Sequence, residues 1–320
     1  PSGLAALTVA LMAAVSAGDH LLVTDSAYRP TRQFCDGVLA RYGVEITYYD
    51  PLAGAGIAAL MRENTRAVLV EAPGSQSFEM QDIPAIAEIV HARGAAVIMD
   101  NTWATPLLFP PHERGVDIAV EAGTKYLSGG SDLLLGLTSA NKAHWPALRR
   151  TYDHFAMCPG PEDVFLALRG LRTMALRLSE HGRRGLEMAR WLQARPEVLR
   201  VLHPGLPEDP GHAIWKRDFS GASGLFGVIL KPAPERAVAA MLERRAHPER
   251  PARDIFLQCA LVIRQSCGAP PPPASSDASA KRLQAGDLIV EAGGTSVAAL
   301  SDFIEAVDEA RGESRPAILL

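Results

Sequence analysis

The chain has 320 residues, 48% hydrophobic and 21% charged, a composition that supports a substantial core and, at ~150 residues per domain, about two globular domains. Lys and Arg number 32 against 36 Asp and Glu, a formal net charge of -4, so there is no basic surplus for a phosphate backbone or an anionic membrane, and neither is expected as a partner. Cys35, Cys158, Cys259 and Cys267 lie too far apart, or without the right spacing, for a disulfide framework or a metal site, which points to a reducing, cytoplasmic setting.

The first element, Leu4 to Ala17, is apolar with Thr8 and Ser16 inside it, shorter than the ~20 residues a membrane helix needs, and reads as a buried helix. No cationic segment stands before it, so it lacks the form of a signal peptide. The chain opens at Pro1 rather than Met and enters this helix at once, so a further segment is expected upstream. Strand- and helix-length segments then alternate: strand His20 to Thr24, helix Pro30 to Tyr42, strand Glu45 to Tyr49, helix Gly56 to Glu63, strand Ala67 to Glu71, helix Pro84 to Arg93 and strand Ala95 to Asp100. Two of these strands are continuous apolar runs closed by an acid, Glu71 and Asp100, as in a parallel sheet covered on both faces. Ligands in such sheets collect outside the carboxyl ends of the strands.

A helical tract from Ala167 to about Arg195 follows, with Leu168, Leu171, Met174, Ala175 and Leu178 at helical spacing. Val198 to His203 and Leu225 to Lys231 read as strands and Pro234 to Arg244 as a helix, so a smaller α/β unit starts near Pro196. Residues 244–279 are charged, then Pro-rich, and read as irregular, with an apolar run from Ile255 to Ile263 that fits helix or strand equally. Order returns as strand Asp287 to Glu291, a turn at Gly293 and Gly294, helix Leu300 to Ala310 and a last strand from Ala317 to Leu320.

Lys125 sits in Glu-Ala-Gly-Thr-Lys-Tyr-Leu-Ser-Gly-Gly-Ser-Asp, after the apolar segment Ile118 to Val120. A lysine between a sheet strand and a Gly/Ser loop can be buried enough to lower its ammonium pKa and form a Schiff base; a solvated loop lysine is the plain alternative. Asp100 closes its strand before Asn-Thr-Trp-Ala-Thr-Pro, where it could pair with a protonated ring nitrogen or, with Asn101, simply cap a helix. Gly3 stands where free amides and the helix dipole can hold a phosphate. Tyr28, after a strand, could stack on a planar ligand or be a half-buried loop residue. A phosphate site, a stacking ring, an acid and an amine together suit pyridoxal 5′-phosphate.

These segments resemble the Cys/Met-metabolism family of pyridoxal-phosphate enzymes over residues 1–242. The carriers are Pro-Ser-Gly-Leu-Ala-Ala at 1–6, Ala-Tyr-Arg-Pro-Thr-Arg at 27–32, Glu-Ala-Pro-Gly-Ser-Gln-Ser-Phe-Glu-Met-Gln-Asp at 71–82, Asp-Asn-Thr-Trp-Ala-Thr-Pro at 100–106 and Thr-Lys-Tyr-Leu-Ser-Gly at 124–129. Pro-Gly-Ser at 73–75 and Trp103 look like the cystathionine beta-lyase branch. The resemblance implies an α/β fold, the fold-type-I large domain with a mostly parallel sheet, over residues 1–196. It implies the start of a small C-terminal domain at 197–243, cut short; composition and patterning put an irregular linker at 244–279 and a separate module at 280–320. It implies that Lys125 carries the cofactor and removes the substrate α-proton, that Asp100 keeps the ring nitrogen protonated and that Tyr28 stacks on the ring. Thr124 and the amides of Gly3 and Leu4 would bind the phosphate, with Thr102 beside the ring. The implied reaction is β-elimination on L-cystathionine or a related cysteine S-conjugate, giving homocysteine, pyruvate and ammonia from cystathionine, in a homo-oligomer. Gamma-lyase or synthase chemistry is the alternative.

The chain departs from that family at several points. Gly130 stands where relatives carry His, and Ala122 where many carry Ser. The upstream Tyr-x-Arg segment and the downstream carboxylate-binding arginine of the family have no counterpart, and the context of Arg264 does not match the latter. Lys281 to Val297 with the segment Leu300 to Ala310 resembles part of a PDZ domain of bacterial trypsin-like serine proteases, with only linker where the carboxylate-binding loop belongs. An inactive fusion carrying a peptide-binding remnant is therefore the other class of function to weigh against an enzyme.

Overall fold

A computed structural model describes residues 1–232 throughout, and beyond them the strand residues 261–262, 291–292, 295–296 and 318–319. The chain divides into two compact units, one of Pro1–Met188 with His203–Leu225, the other of Ala189–Leu202 with Phe226–Leu320. The family-based boundary near Pro196 thus falls inside a stretch grouped with the second unit.

The first unit is organised by a six-stranded sheet in the order β2-β1-β3-β4-β5-β6, with β1 His20–Thr24, β2 Glu45–Tyr49, β3 Thr65–Glu71, β4 Ala96–Asp100, β5 Ile118–Ala122 and β6 Gly136–Ala140. The first five strands run parallel and β6 pairs antiparallel with β5. Leu21, Val23, Leu69, Ile98, Ile118 and Val120 pack from one face of the sheet against Leu7, Ala10 and Leu11 of α1, Gly3–Ala14. Thr8 is the only polar side chain in α1, which is why this helix can be covered so fully. Each large aliphatic side chain buried there stabilises the unit by about 1.5–3 kcal/mol. Helix α3, Ile83–Ala92, buries Ile83, Ile86, Ala87 and Val90 at helical spacing, and the Asp82 side chain caps it by accepting from Ala85 N.

Several expected helices end or break early, each for a local reason. α1 stops at Ala14 because Val15 turns extended, and Gly18 at φ +85° carries the turn into β1. The stretch expected as one helix from Pro30 to Tyr42 is α2, Arg29–Phe34, followed by a wider π turn over Cys35–Leu39 and a 3-10 turn over Ala40–Tyr42. The wide turn carries both Cys35 and Leu39 into the core. Gly56 to Glu63 is not an α-helix: a 3-10 stretch spans Gly54–Ala59, where two glycines weaken the helix and Ile57 alone is buried. The short α4 spans Thr105–Leu108.

The tract expected as one helix from Ala167 is two, α6 Pro161–Leu171 and α7 Met174–Gln193. Near the end of α6, Gly170 packs against the carbonyls of Leu127 and Ser128, and its own carbonyl is taken by Thr173 N and by the Arg177 guanidinium. Sequence patterning missed β6, whose residues are only half covered, α5 at Trp145–Phe155 and α8 at His212–Asp218.

The second unit contains β7 Val198–Leu202, β8 Gly227–Leu230, β9 Leu261–Val262 and β12 Ile318–Leu319 in the antiparallel order β7-β8-β12-β9. β10 Glu291–Ala292 pairs antiparallel with β11 Thr295–Ser296. The expected helix Pro234 to Arg244, the irregular segment 244–279, the expected helix Leu300 to Ala310 and the rest of the strands expected around these pairs lie outside the described residues.

In the first unit α8 is pinned to α3 by charge. Arg217 donates to both Asp82 carboxylate oxygens at 2.7 and 3.0 Å and to both oxygens of Asp218 at 2.6 and 2.9 Å, while Arg114 Nη1 reaches Asp218 at only 3.4 Å. Asp218 is buried, so removing its main partner strands a carboxylate. Arg217→Ala is expected to cost about 2 kcal/mol in urea unfolding, discounted for the partly exposed guanidinium. The Arg217 hydrogen bonds hold Asp82 below the usual aspartate range, so this contribution is present above the unfolded value of about 3.9 and is lost as pH falls through the lowered folded value. The gap between wild type and variant should therefore narrow below about pH 4.

Candidate active site

The parallel register aligns the carboxyl ends of β3, β4 and β5. Glu71 is paired with Asp100, and Asp100 with Val120. Leu69, Ile98 and Val120 face α1, and the two-residue period of a strand puts Glu71, Asp100 and Ala122 on that same face, one step further along. The start of α1 lies directly over this edge. A Cβ on Gly3 would fall 2.7 Å from the Ala122 Cβ and 3.0 Å from its Cα, so the approach requires glycine at 3 and a small residue at 122. Ser2 caps the helix by accepting from Ala5 N at 3.1 Å, and Ala6 N donates to Ser2 O. The amides of Gly3 and Leu4 are left without intrahelical acceptors.

Asp100 accepts from Thr102 N through Oδ1 at 3.0 Å, and the Thr102 hydroxyl also favours its charged form. The helix-cap alternative fails, because α4 begins later, at Thr105 after Ala104. Burial pushes the Asp100 carboxyl above the usual aspartate range. Thr102 Oγ1 accepts from Ala122 N at 2.8 Å, tying the end of β4 to the end of β5. Tyr28 follows β1 with its ring half exposed, and its backbone N–H donates to Glu71 Oε2 at 2.9 Å. Burial first, then the Asp100 and Glu71 carboxyl groups, push the Tyr28 phenol upward, which sets all three groups within electrostatic reach.

After β5 the chain coils through a tight turn, with Lys125 N on Ala122 O at 2.9 Å, Ser128 N on Gly123 O at 3.0 Å and Gly129 N on Lys125 O at 3.0 Å. Of the buried and solvated alternatives for Lys125, the structure has the exposed one, and Lys125 forms no ion pair among the described residues. Thr124 Oγ1 is engaged with Leu135, accepting from its N–H at 3.1 Å and lying 3.4 Å from its carbonyl.

Arg177 braces the far side of the turn. Its guanidinium donates to Tyr126 O at 2.8 Å, Leu127 O at 3.2 Å and Gly170 O at 2.8 Å. Gly129 holds φ +67° against it, and a Cβ there would lie 2.1 Å from the guanidinium. At Gly130, in the place of the family's histidine, a Cβ would meet only the flexible carboxylate of Asp132.

Glu71, Gln81 and Arg177 had no assigned role in the sequence. Gln81 Nε2 donates to Glu71 O at 2.8 Å and its Oε1 accepts from Tyr49 OH at 2.7 Å, which fixes the end of β3 from behind. The sequence signals were the acid at the end of a buried strand and, for Glu71 and Gln81, their place in the 71–82 motif; Arg177 had none. No group of three or more His, Cys, Asp or Glu able to hold a metal occurs among the described residues, and none of their helices is long and apolar enough to cross a membrane.

A parallel sheet with a helix N-terminus over the strand ends, an acid at the end of one strand and a lysine after the next defines a fold-type-I pyridoxal-phosphate-dependent enzyme. Residues 1–245 match the model of the Cys/Met metabolism PLP-dependent enzyme family, and the chain belongs to that family. It is 53% identical over 257 residues to a putative cystathionine beta-lyase of Rhizobium johnstonii, covering 80% of this chain and 64% of that protein. It is 42% identical over 246 residues to the cystathionine beta-lyase of Salmonella typhimurium, covering 76% and 62%. A crystal structure of metB from Corynebacterium glutamicum superposes with a TM-score of 0.72 at 31% identity, over 74% of this chain and 62% of that one. The chain thus spans 64% and 62% of the lengths of these two relatives.

The residues present fit the family's cofactor. The cradle at Gly3 has no room for a Cβ, two amides at the helix start are free for an anion, and the Asp100 carboxyl stands at the end of β4. Because Gly3→Ala would drive a Cβ into the Ala122 backbone, α1 must shift away from the strand ends. A loss of about 1–3 kcal/mol is expected in urea unfolding, with at least about tenfold weaker pyridoxal phosphate in a binding titration. Ala122→Gly in the same chain should recover part of both.

Proposed function

We propose that this chain carries the cofactor site of a carbon–sulfur lyase that performs β-elimination on L-cystathionine or a related cysteine S-conjugate. What carries the reading is the arrangement of Lys125, Asp100, Tyr28 and the start of α1 around the carboxyl ends of β3, β4 and β5. Pyridoxal phosphate, when bound, supplies an electron sink for negative charge developing at the substrate α-carbon. The Lys125 amine, at the tip of its braced turn, holds the cofactor and, once released, takes the α-proton onto Nζ. Asp100 Oδ2 holds the proton on the ring nitrogen, so that the ring can accept electrons. The Gly3 and Leu4 amides and the α1 dipole hold the phosphate, with Thr124 adding a hydroxyl if it leaves Leu135. Tyr28 stacks on the ring, and Thr102 keeps the ends of β4 and β5 together beneath it.

The beta-lyase relatives favour β-elimination. Gamma-lyase chemistry is the second reading, favoured by a 34% match to the cystathionine gamma-lyase of Mus musculus over 240 residues. A 40% match to an L-alanine/L-glutamate racemase of Wolbachia pipientis shows that identity at this level spans more than one reaction. A homo-oligomer belongs to the same proposal, supported by the exposed stripe of Val164, Phe165, Leu168 and Leu171 along α6. A cytoplasmic setting goes with it, since Cys35 and Cys158 are free thiols.

Incubation with pyridoxal phosphate should give a visible absorption band that survives dialysis, and Lys125→Ala should lose it; identical spectra for the two proteins would refute the site. From L-cystathionine the protein should release pyruvate. Release of 2-oxobutyrate instead would move the assignment to γ-elimination. Phe165→Asp is expected to shift the protein to a smaller species in sedimentation velocity, and an unchanged sedimentation coefficient would remove the α6 stripe from the interface.

A further inference from the structure

Glu71 has no part in the cofactor chemistry above, yet it lies beside the residue that does. As register partners on neighbouring parallel strands, Glu71 and Asp100 have Cα atoms about 4.8 Å apart and side chains on the same face. Neither is paired with an Arg or Lys among the described residues. Two carboxylates this close, withdrawn from bulk water, repel strongly, so one of the pair stays neutral. A cationic ring nitrogen requires the charge on Asp100.

The hydrogen bonds of Glu71 tolerate a proton. Oε2 accepts from Tyr28 N–H at 2.9 Å, a bond that persists with a proton on the other oxygen. Oε1 accepts from Ser75 Oγ at 2.6 Å, and a hydroxyl can donate or accept. With a proton on Oε1 that bond reverses, Oε1–H donating to Ser75 Oγ; the backbone N–H groups of Tyr28 and Ser75 favour the charged form, and burial and Asp100 outweigh them.

We propose that Glu71 is a positioning residue that works as a neutral carboxylic acid, holding the Tyr28 main chain and the Ser75 hydroxyl at the end of β3 while leaving Asp100 as the charged member of the pair. The part concerning Asp100 rests on the cofactor reading of the site. Burial first, and Asp100 second, push Glu71 up to about 8, in line with this geometry. The charged and titratable groups around the pair are the Tyr28 phenol before α2, Lys125 in the turn after β5, and Glu121 on β5, which the strand period turns to the opposite face and which burial and then Asp100 push up to about 7. α1 brings no titratable side chain to this face.

The test needs two readouts. An acid whose value is raised by folding takes up a proton as the chain folds, so its contribution to stability is full below the unfolded value of about 4.3 and declines as pH rises toward the folded value. Urea unfolding of the protein without cofactor, from pH 5 to 8.5, should show wild-type stability falling with pH, and Glu71→Gln falling less steeply. Equal slopes would overturn the proposal, and no cofactor enters that measurement. At pH 7, Glu71→Gln should bind pyridoxal phosphate within about threefold of wild type, because a neutral amide still offers an acceptor and a donor. Glu71→Ala, which leaves Tyr28 N–H and Ser75 without that partner, should bind about tenfold more weakly. A Gln variant as weak as the Ala variant would mean that a charge is needed at 71, which also overturns the proposal. Failure of wild type to bind cofactor would instead refute the reading of the site, and the pH slopes keep the two failures apart.

Discussion

In-register parallel pairing of β3, β4 and β5 is the constraint on which the site depends. It brings residues from three distant segments, Glu71, Asp100 and Ala122, to one edge and one face of the sheet, with no side chain having to reach for another. The same pairing fixes where the turn after β5 begins, and hence where Lys125 stands. Apolar burial of α1 against that face then places a helix N-terminus over the strand ends. The free amides at its start are placed there by packing that is itself hydrophobic.

Close approach is what converts this packing into a site. Gly3 meets Ala122, Gly136 meets the Ser2 carbonyl, and Gly170 meets the carbonyls of Leu127 and Ser128, each at a distance no Cβ could share. The glycines matter here for the space they leave more than for backbone freedom. Around them polar groups lock the loops: Thr102 joins β4 to β5, Gln81 holds the end of β3, and Arg177 collects three carbonyls behind the lysine turn. Arg177 forms these bonds with neutral acceptors, so its full charge polarises the turn from the side away from the strand ends.

Electrostatically the edge is acidic. Glu71, Asp100 and Glu121 are all pushed upward, and burial is the leading cause for each. On the proposed reading this edge takes a ligand cationic at one end and anionic at the other, with the ring nitrogen by the acids and the phosphate by the helix start. The ordinary fold of the sheet separates these two fields, because the acids are at strand ends and the amides belong to the helix above them.

Much of this was legible in the residues. The bounds of β1 and β2 follow from apolar and β-branched runs between turn residues, the buried nature of α1 from its lack of polar side chains, and Asp100 from its place after a buried run. The motifs around Tyr28, Asp100 and Lys125 were enough to name the family, because local chemistry of that kind is written in short segments. Other features depend on residues far apart in sequence. The exposure of Lys125, the bond from Tyr28 N–H to Glu71 across 43 residues, the Arg177 brace across 51 residues and the break between α6 and α7 arise only when segments meet. Sequence determines which groups are available and how each segment is inclined to fold. Which carboxyl group sits beside which, and therefore which one keeps its proton, is decided by strand register, a property of the assembled sheet.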